Sequence, residues 1–451
     1  MHRNIFRVFI IALLILSSTY AYGEDETVSS QEISFPQSWF EQKNATGDWG
    51  GFRNKIDDSG LTFTSNYTTN VGGNPVGGKK KTVTYCAFQD ITLAVDFEKL
   101  VSLNGLHLTV SNCLATGRNL SDTLGDFFGV QEIYAPGDYY FGELDLSLSL
   151  FEKTLTFEVG RLFAGDVFAT SPLWQYYVNS GINDNLNSIG ANIFFPSFQV
   201  AAWAARITYS PNEQWELVTG LYNADPSVKD PDRHGVNFNF DTSHGALLMS
   251  QLTHKWQNAH KKKNLPGSVC FGGYYASDKY EDLSVSGRLH KGNYGFYFTF
   301  DQMLYRSEWP SFSGPEDKRL GTRYADRVKG SYHPQTSIPL DRPKGLSLWG
   351  GAYLAPDDNI NTQIYQLAGG LVFQGLAPNR DLDVTALCFL MGKFSNKMPE
   401  QGAEIALEVN HRFQLGPWFY ITPDVQYIIN PNGQTDIKDA LVLGFEMSVD
   451  F

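Results

Sequence analysis

Apolar and polar residues alternate one by one over long stretches of this chain. The stretch 140–150, YFGELDLSLSL, has leucine at every second position near its end, with Glu143, Asp145 and two serines between the leucines. The stretch 403–414 repeats the pattern, with aliphatic residues set against acids, an amide and Arg412. Because successive side chains of a strand point to opposite faces of a sheet, each stretch predicts a strand with one apolar and one polar face.

Stretches of this kind recur from residue 61 to the last residue. They are 61–70, 84–98, 105–112, 140–150, 154–162, 199–209, 214–222, 245–256, 267–276, 292–303, 346–354, 363–373, 382–391, 403–414, 418–429 and 439–451. Most exceed the about five or six residues of an ordinary strand and match the about nine to eleven that a tilted strand needs to cross a membrane. The pattern therefore predicts an all-β protein, a transmembrane antiparallel β-barrel of about 16 strands over residues 61–451.

A short helix is predicted immediately before the first strand. Residues 54–59 follow the polar turn TGDWGG, and Gly60 is well placed to end a helix of barely two turns. The period-two pattern begins directly afterwards at Leu61. We expect the segment 24–60 to stand before the barrel as a separate element.

Residues 1–23 have the features of a secretory signal peptide. Arg3 and Arg7 supply the positive charge, 8–16 an apolar core, and Ala21-Tyr22-Gly23 a cleavage pattern of small residues. A core of this length is too short for a membrane-spanning helix, which needs about 20 residues. A short membrane anchor stays open as the alternative.

Charge and composition narrow the class of protein. The formal net charge is −13, and it becomes −15 without Arg3 and Arg7, because no acidic residue precedes Glu24. Nucleic-acid phosphates require a basic face, so such a partner is not expected. A mean hydropathy of −0.26 argues against a bundle of membrane helices. An aromatic content of 14% fits the aromatic girdles of a membrane barrel.

Long polar connections separate some of the predicted strands. They are 113–138, 163–190, 223–244 and 304–344. Outer-membrane barrels carry short turns at the periplasmic rim and long loops outside. We therefore expect these four segments to be external loops, including 304–344, which is rich in Arg, Lys, Asp, Pro and Ser.

Three blocks resemble the OprB-type carbohydrate-selective porins. The stretch from Gly47, GDWGGFRNKIDDSG, is similar to the opening block G-D-W-G-G-x-R-x-x-L-x-x-x-G of that family, with Ile56 in place of leucine. PDVQYIINPNG from Pro423 and the terminal LGFEMSVDF continue the likeness. The likeness extends over essentially the whole chain after the signal peptide and is weakest between residues 230 and 345.

The resemblance implies a sixteen-stranded porin of the Gram-negative outer membrane that lets small, glucose-like sugars diffuse passively into the periplasm. It also implies that the helix of segment 24–60 lies at the periplasmic mouth and that inward-folded loops narrow the lumen. The expected partners are small sugars, outer-membrane lipid and the barrel-insertion machinery, which would recognise the terminal strand ending at Phe451. The sequence leaves a monomer and a homotrimer equally open.

Strand parity selects the residues expected to line the passage. Acids, amides and arginine can hydrogen-bond sugar hydroxyls, and aromatic rings can stack on sugar faces. The expected pore-lining residues are Glu143, Asp145, Glu158, Arg161, Asp166, Trp174, Arg206, Glu404, Glu408, Arg412, Asp424 and Gln426. Arg161 is the exception to parity, since it is in phase with residues that should face lipid. Its alternatives are a place at the constriction past a bulge at Gly160 and a salt bridge that holds the following loop to the wall, and the two roles are compatible.

Other chemistry is not indicated by the sequence. The four cysteines are far apart and form no CxxC, so isolated strand residues are favoured over disulfides, and no metal site or cofactor is predicted. The basic runs Lys79–Lys81 and Lys261–Lys263 are expected at a solvated rim. A general or dicarboxylate-passing porin, a surface antigen or adhesin with little flux, and an outer-membrane hydrolase remain as alternative functions, and no enzyme is expected.

Overall fold

The structure is a computed structural model that describes residues 37–40, 42–256, 265–307 and 344–451. The predicted signal peptide, the basic run Lys261–Lys263 and nearly all of the predicted loop 304–344 lie outside these ranges. Within the ranges described, no helix is long and apolar enough to cross a membrane.

Sixteen strands in the described part of the chain form one closed barrel, in which each strand pairs antiparallel with its neighbours in sequence and β1 pairs with β16. The strands are β1 (Leu61–Val76), β2 (Val83–Asp96), β3 (Leu106–Gly117), β4 (Tyr139–Leu150), β5 (Leu155–Leu162), β6 (Ala202–Asn212), β7 (Trp215–Asn223), β8 (Ala246–Trp256), β9 (Gly267–Glu281), β10 (Leu289–Arg306), β11 (Gly345–Leu354), β12 (Gln363–Gln374), β13 (Val384–Phe394), β14 (Ala403–Gly416), β15 (Phe419–Ile429) and β16 (Ala440–Asp450). The predicted fold class and strand number are confirmed.

The helices are all short. They are α1 (Gln37–Phe40), α2 (Phe52–Asp58), α3 (Phe97–Val101), α4 (Ser121–Leu124) and α5 (Ser188–Asn192), with 3₁₀ turns at Trp174–Tyr176, Pro226–Lys229, Pro231–Arg233 and Pro431–Gly433. The predicted helix before the first strand is α2, which begins two residues earlier than the sequence pattern suggested and still ends before Gly60.

The two faces of the strands separate as the alternation predicts. On β16, Leu443 and Phe445 are exposed on the outside, whereas Glu446 and Ser448 are buried on the inside. A barrel closed in this way leaves no unpaired strand edge in lipid. Leu146 on β4 is likewise exposed, so the apolar face is the membrane face.

The barrel has two distinct rims. The terminal rim carries the start of β1 and the end of β16, which pair with each other at Asn66 and Asp450. The far rim carries the connections 118–138, 163–201 and 224–245. Since outer-membrane barrels place long loops outside and short turns on the periplasmic side, the far rim is the extracellular one.

The connection between β10 and β11 corrects one expectation. The predicted external loop 304–344 lies almost wholly outside the described residues, but its two ends meet where Ser307 donates a main-chain hydrogen bond to Lys344 at 2.9 Å. Each strand reverses the direction of the chain, so the connection after the tenth strand belongs to the same rim as the termini. This segment therefore leaves the barrel at the terminal, periplasmic rim.

The N-terminal segment is fastened to the terminal rim through Arg53 of α2. The buried guanidinium donates from Nη2 to the main-chain oxygens of Phe63 at 3.0 Å and Phe451 at 2.8 Å, and it lies 5.0 Å from the ring centre of Trp49. Trp39 packs on Trp418 with ring centres 4.3 Å apart. The helix thus joins the first strand to the end of the last one.

The four cysteines are unpaired, as the sequence analysis favoured. Cys86, Cys113, Cys270 and Cys388 are all free and buried, each on a different strand. Because each thiol is buried, it packs as a small apolar side chain and is shielded from solvent.

Arg53 tests the role of the N-terminal segment. Replacing Arg53 with Ala removes charged hydrogen bonds to the first strand and to the last residue of the chain, each of which contributes about 1.5–3 kcal/mol. We expect a lower unfolding temperature, measured by the mobility shift of heated protein in electrophoresis.

The matched control is Lys55→Ala, which removes an exposed cation from the same helix. An unfolding temperature of Arg53→Ala equal to that of Lys55→Ala would contradict a fastening role.

Candidate functional site

Two connections from the far rim fold into the lumen. Loop A (residues 118–138) joins β3 to β4, and loop B (residues 163–201) joins β5 to β6. Loop B reaches β14 on the opposite wall, and the two loops also bond each other, Glu132 N to Val178 O at 3.1 Å. They narrow the passage through the barrel.

Two glutamates of β14 hold the loops in place. Glu404 accepts main-chain hydrogen bonds from Phe127 at 2.7 Å and Phe128 at 3.0 Å in loop A. Glu408 accepts from Val178 at 2.8 Å and Asn179 at 3.0 Å in loop B. Hydrogen bonds to an ionised carboxylate are about twice as strong as neutral ones. Both side chains therefore point to the inside of the barrel, where each binds the loop in front of it, and their contact with a solute stays a prediction.

Gln426 on β15 connects both loops to the same wall. Its Oε1 accepts from Asn179 Nδ2 at 2.9 Å in loop B, and its Nε2 donates to Val130 O at 3.0 Å in loop A. The same Nε2 lies 3.0 Å from Asp424 Oδ2. The amide supplies a donor and an acceptor at once, which neither carboxylate can do.

Arg412 on β14 is a further wall residue that holds loop B. Its Nη2 donates to Gln175 O of loop B at 2.9 Å. The guanidinium lies 4.0 Å from the ring centre of Tyr420 and 3.8 Å from the carboxylate of Glu446. The cation is thus neutralised and stacked at the wall.

Apolar contacts fit the loops to the wall at glycines. A Cβ at Gly351 would lie 3.0 Å from the Trp174 ring, and one at Gly392 would lie 2.5 Å from the Phe128 ring. The Trp349 indole donates to the Tyr177 hydroxyl at 2.8 Å. The predicted residue Trp174 is therefore packed between loop B and the wall.

The wall of β4 to β6 carries a group of acids around one arginine. Arg206 makes a two-pronged bond to Glu158, with Nε at 2.7 Å and Nη2 at 2.5 Å, and Nη1 donates to Phe163 O at 3.1 Å. Glu143 and Asp145 are buried on the same inner face. This side of the lumen therefore carries more acidic side chains than basic ones.

Asp166 of loop B joins that acidic group. Burial raises its pKa well above the ordinary value, and the charge of Asp184 adds to the rise. Burial likewise raises the pKa of Asp184 to about 8. Because burial disfavours the charged form of a carboxyl group, these loop acids limit how much negative charge accumulates there.

Arg161 lies on the outer face of the barrel. It pairs in register with Leu144 and Trp203, and its guanidinium donates to Gly235 O and to Ala201 O. It also lies 5.3 Å from the ring centre of Phe238. Arg161 thus holds residues 224–245 (the outer loop) through Gly235 and the end of the connection that follows β5 through Ala201. Both partners are main-chain oxygens, so the role is structural, but the contact is not the salt bridge of the second alternative.

A pocket lies between the two inner loops, and its lining includes Asn119, Ser121 and Asp122, which closely follow the far-rim end of β3. This mouth pocket has a volume of about 270 Å³, and its lining is Asn119, Ser121, Asp122, Asp126, Phe127, Phe128, Gly129, Gln131, Tyr134, Ser180 and Asn187. Amides, hydroxyls and carboxylates dominate, with aromatic rings among them. Such a lining suits a small polar solute with an apolar face.

Comparison with known families agrees with the architecture. The family model described as carbohydrate-selective porin, OprB family, matches residues 80–451. The chain belongs to the OprB family. A barrel of this family resides in the Gram-negative outer membrane and passes small solutes, as a channel does.

Individual relatives are distant but full-length. Porin B of Pseudomonas aeruginosa is 25% identical over 465 residues, covering 96% of this chain and 95% of that protein. QuiX of Acinetobacter baylyi is 23% identical over 471 residues, covering 100% of both. The high-pH structure of OprB from Pseudomonas putida has a TM-score of 0.77 at 21% identity and covers 91% of this chain and 99% of that one. At this identity the last likeness shows the shared fold.

Several residues that contact the inner loops were not among the pore-lining residues predicted from the sequence. Gln366 on β12 bonds Ser188 N at 3.0 Å and Gln251 on β8 bonds Val167 O at 2.8 Å, both in loop B. The alternation along β8 and β12 indicates that both side chains point inward, but an uncharged amide is a weaker sign of a functional residue than an acid. Asn179 and Asn192 lie in loop B, where no strand pattern indicates direction.

Glu408 tests whether the wall holds loop B. Glu408→Ala leaves the main-chain N–H groups of Val178 and Asn179 without their acceptor, at a cost of about 3 kcal/mol or more locally. We expect faster proteolysis within loop B and a larger single-channel conductance in planar bilayers.

The control for this variant is Glu216→Ala, which breaks only a partly exposed pair with Lys255 at 3.1 Å. Exposed pairs contribute about 0–1 kcal/mol. Conductance of Glu408→Ala equal to that of Glu216→Ala would show that the glutamate does not set the width of the passage.

Variants of Arg161 and Arg206 distinguish the effect of a structural arginine on the outer face from that of an arginine in the lumen. Arg161→Ala removes the contact to the outer loop and should expose that loop to protease while leaving solute flux through the barrel unchanged. Arg206→Ala leaves Glu158 buried without its partner, so it should lower stability by about 3–5 kcal/mol and alter flux. Flux measured in liposomes that falls with Arg161→Ala would contradict the outer placement of Arg161.

Proposed function

We propose that this protein lets small, glucose-like sugars diffuse passively across the outer membrane without an energy source. The observation that carries the proposal is the narrowing of the lumen by loops A and B against a wall whose arginines face glutamates. Arg206 faces Glu158, and Arg412 faces Glu446. A neutral polyhydroxylated solute meets hydrogen-bonding groups there without an unbalanced cation that would hold an anion.

The charge of the wall supports a neutral solute over an anionic one. Glu143 and Asp145 add carboxyl groups to the inner face of β4 beyond the acids that are paired with arginine. A dicarboxylate would meet like charge at close range, and like charges at short distance in a narrow, partly dry passage repel strongly. A sugar of similar size avoids that repulsion.

The description of the family as carbohydrate-selective porins supports this proposal. A channel requires hydrogen bonds that replace water around the solute without holding it for long. The wall acids Glu404 and Glu408 are bonded to loop main chain, which leaves them unsuited to act as an acid–base pair on a glycoside. We therefore propose a passage and not a hydrolase.

Two other functions remain as outcomes of an experiment. A general or dicarboxylate-passing porin would share the barrel but not the charge preference. A surface antigen or adhesin drew its support from segment 304–344 as an external loop, and the ends of that segment lie at the terminal rim.

The strand ending at Phe451 is also proposed to present the chain to the insertion machinery.

Solute flux in liposomes tests the proposed function. Purified protein should admit glucose faster than succinate by about fivefold or more, since one like-charge contact of about 1 kcal/mol already produces that ratio. Swelling assays with glucose, maltose and succinate give the order directly.

Empty liposomes provide the leak rate, and the Arg161→Ala variant provides a folded barrel with an unchanged lumen. Succinate entering much faster than glucose would overturn the sugar assignment and leave the porin in place. Flux of none of the three solutes would favour the antigen or adhesin.

A further inference from the structure

We propose that the mouth pocket captures amino sugars in their protonated, cationic form before they enter the narrowed lumen. This inference rests on the proposed function and adds a charge preference to it. It is carried by the position of the pocket between loops A and B and by the chemistry of its lining.

The lining supplies two acids and no basic side chain. Asp122 and Asp126 both line the pocket, while none of the other lining residues is Lys or Arg. Lys79 packs its aliphatic chain toward Gly125 beside the pocket, but it is not part of the lining. A cation entering the pocket therefore meets two carboxyl groups.

Asp126 has hydrogen-bonding capacity left for a ligand. Its Oδ2 accepts from Gly129 N at 2.9 Å, which fixes the side chain. Its Oδ1 is buried and makes no hydrogen bond of good geometry among the described residues, although the Ser121 hydroxyl interacts with the carboxyl group. A buried carboxylate oxygen without a partner is costly, so an ammonium group next to it would relieve that cost. Asp122, by contrast, is exposed at the entrance.

The remaining lining suits a sugar ring. Asn187 and Ser180 come from loop B and offer an amide and a hydroxyl, and Phe127 and Phe128 come from loop A. A pyranose presents hydroxyls at its edge and C–H groups on its face, so it can use both kinds of group. The volume of about 270 Å³ is at the lower end for ligand pockets and fits a single ring better than a chain of rings.

The location of the pocket explains how binding there would speed the entry of a solute. Asn119, Ser121 and Asp122 of the lining closely follow Gly117, where β3 ends at the far rim, so the pocket lies near the extracellular mouth of the barrel. Raising the local concentration of a cation at a mouth increases its rate of entry.

Competition between D-glucosamine and D-glucose tests the proposal. In liposomes carrying the full protein, glucosamine should enter at a lower half-saturating concentration than glucose, by about fivefold for one ion pair at a partly exposed site. The double variant Asp122→Asn with Asp126→Asn should bring that ratio close to one, because both carboxylates are then replaced by neutral amides.

Asp126→Asn keeps an oxygen that can accept from Gly129, so the turn of loop A is retained. The matched control is Asp436→Asn, which removes one exposed acid from the same rim outside the pocket lining. This control should retain the full preference for glucosamine.

The outcomes separate the two proposals. Glucose entry together with a glucosamine preference that survives in the double variant would overturn the mouth pocket and assign the preference to the acids of the wall. Equal entry of both sugars in the unchanged protein would also overturn the capture site, with the sugar passage intact. Entry of neither sugar would overturn the proposed function itself.

Discussion

The main chain of loops A and B needs hydrogen-bond partners inside a closed barrel, and this need organises the lumen. A strand satisfies its main-chain groups through its neighbours, but an irregular loop that enters the lumen brings N–H groups with it that no strand pairs. The inner wall supplies the acceptors from side chains, above all Glu404 and Glu408. The polar face of β14 is therefore a receptor for the loops as much as a lining of the passage.

This arrangement ties the width of the passage to the charge of its wall. A glutamate that accepts two main-chain N–H groups keeps the loop in one position and at the same time places an acidic group in the lumen. The arginines show the complementary case, because Arg412 donates to loop B while Glu446 offsets its charge. Changing a wall residue therefore changes the geometry of the passage and its electrostatics together, and single substitutions of the wall seldom separate the two.

Much of the fold was readable from the sequence because period-two alternation has a direct geometric meaning. The parity of Glu143, Asp145, Glu404 and Glu408 was read correctly, since each strand can turn only one face to lipid. What these side chains bind could not be read, because the partners of Glu408 are more than two hundred positions away in a loop without periodicity. Segment 304–344 was assigned to the wrong rim from its length and composition. Counting strand reversals would have assigned it correctly, since an even number of preceding strands returns the chain to the terminal rim.

Arg161 shows that the outer face of the barrel is also used near its rim. Sequence parity placed this arginine on the lipid side, which would be costly in the middle of the membrane. The structure resolves the conflict at the end of β5, where the outer loop covers the guanidinium with Gly235 O and the Phe238 ring. The far-rim connections therefore act in opposite directions: loops A and B fold inward and fix the passage, whereas the outer loop folds outward over β4 to β6. The wall of β4 to β6 separates the inner loops from the outer loop. It can hold loops on both of its faces because the hydrogen bonds between its strands fix the positions of inward-facing and outward-facing side chains together.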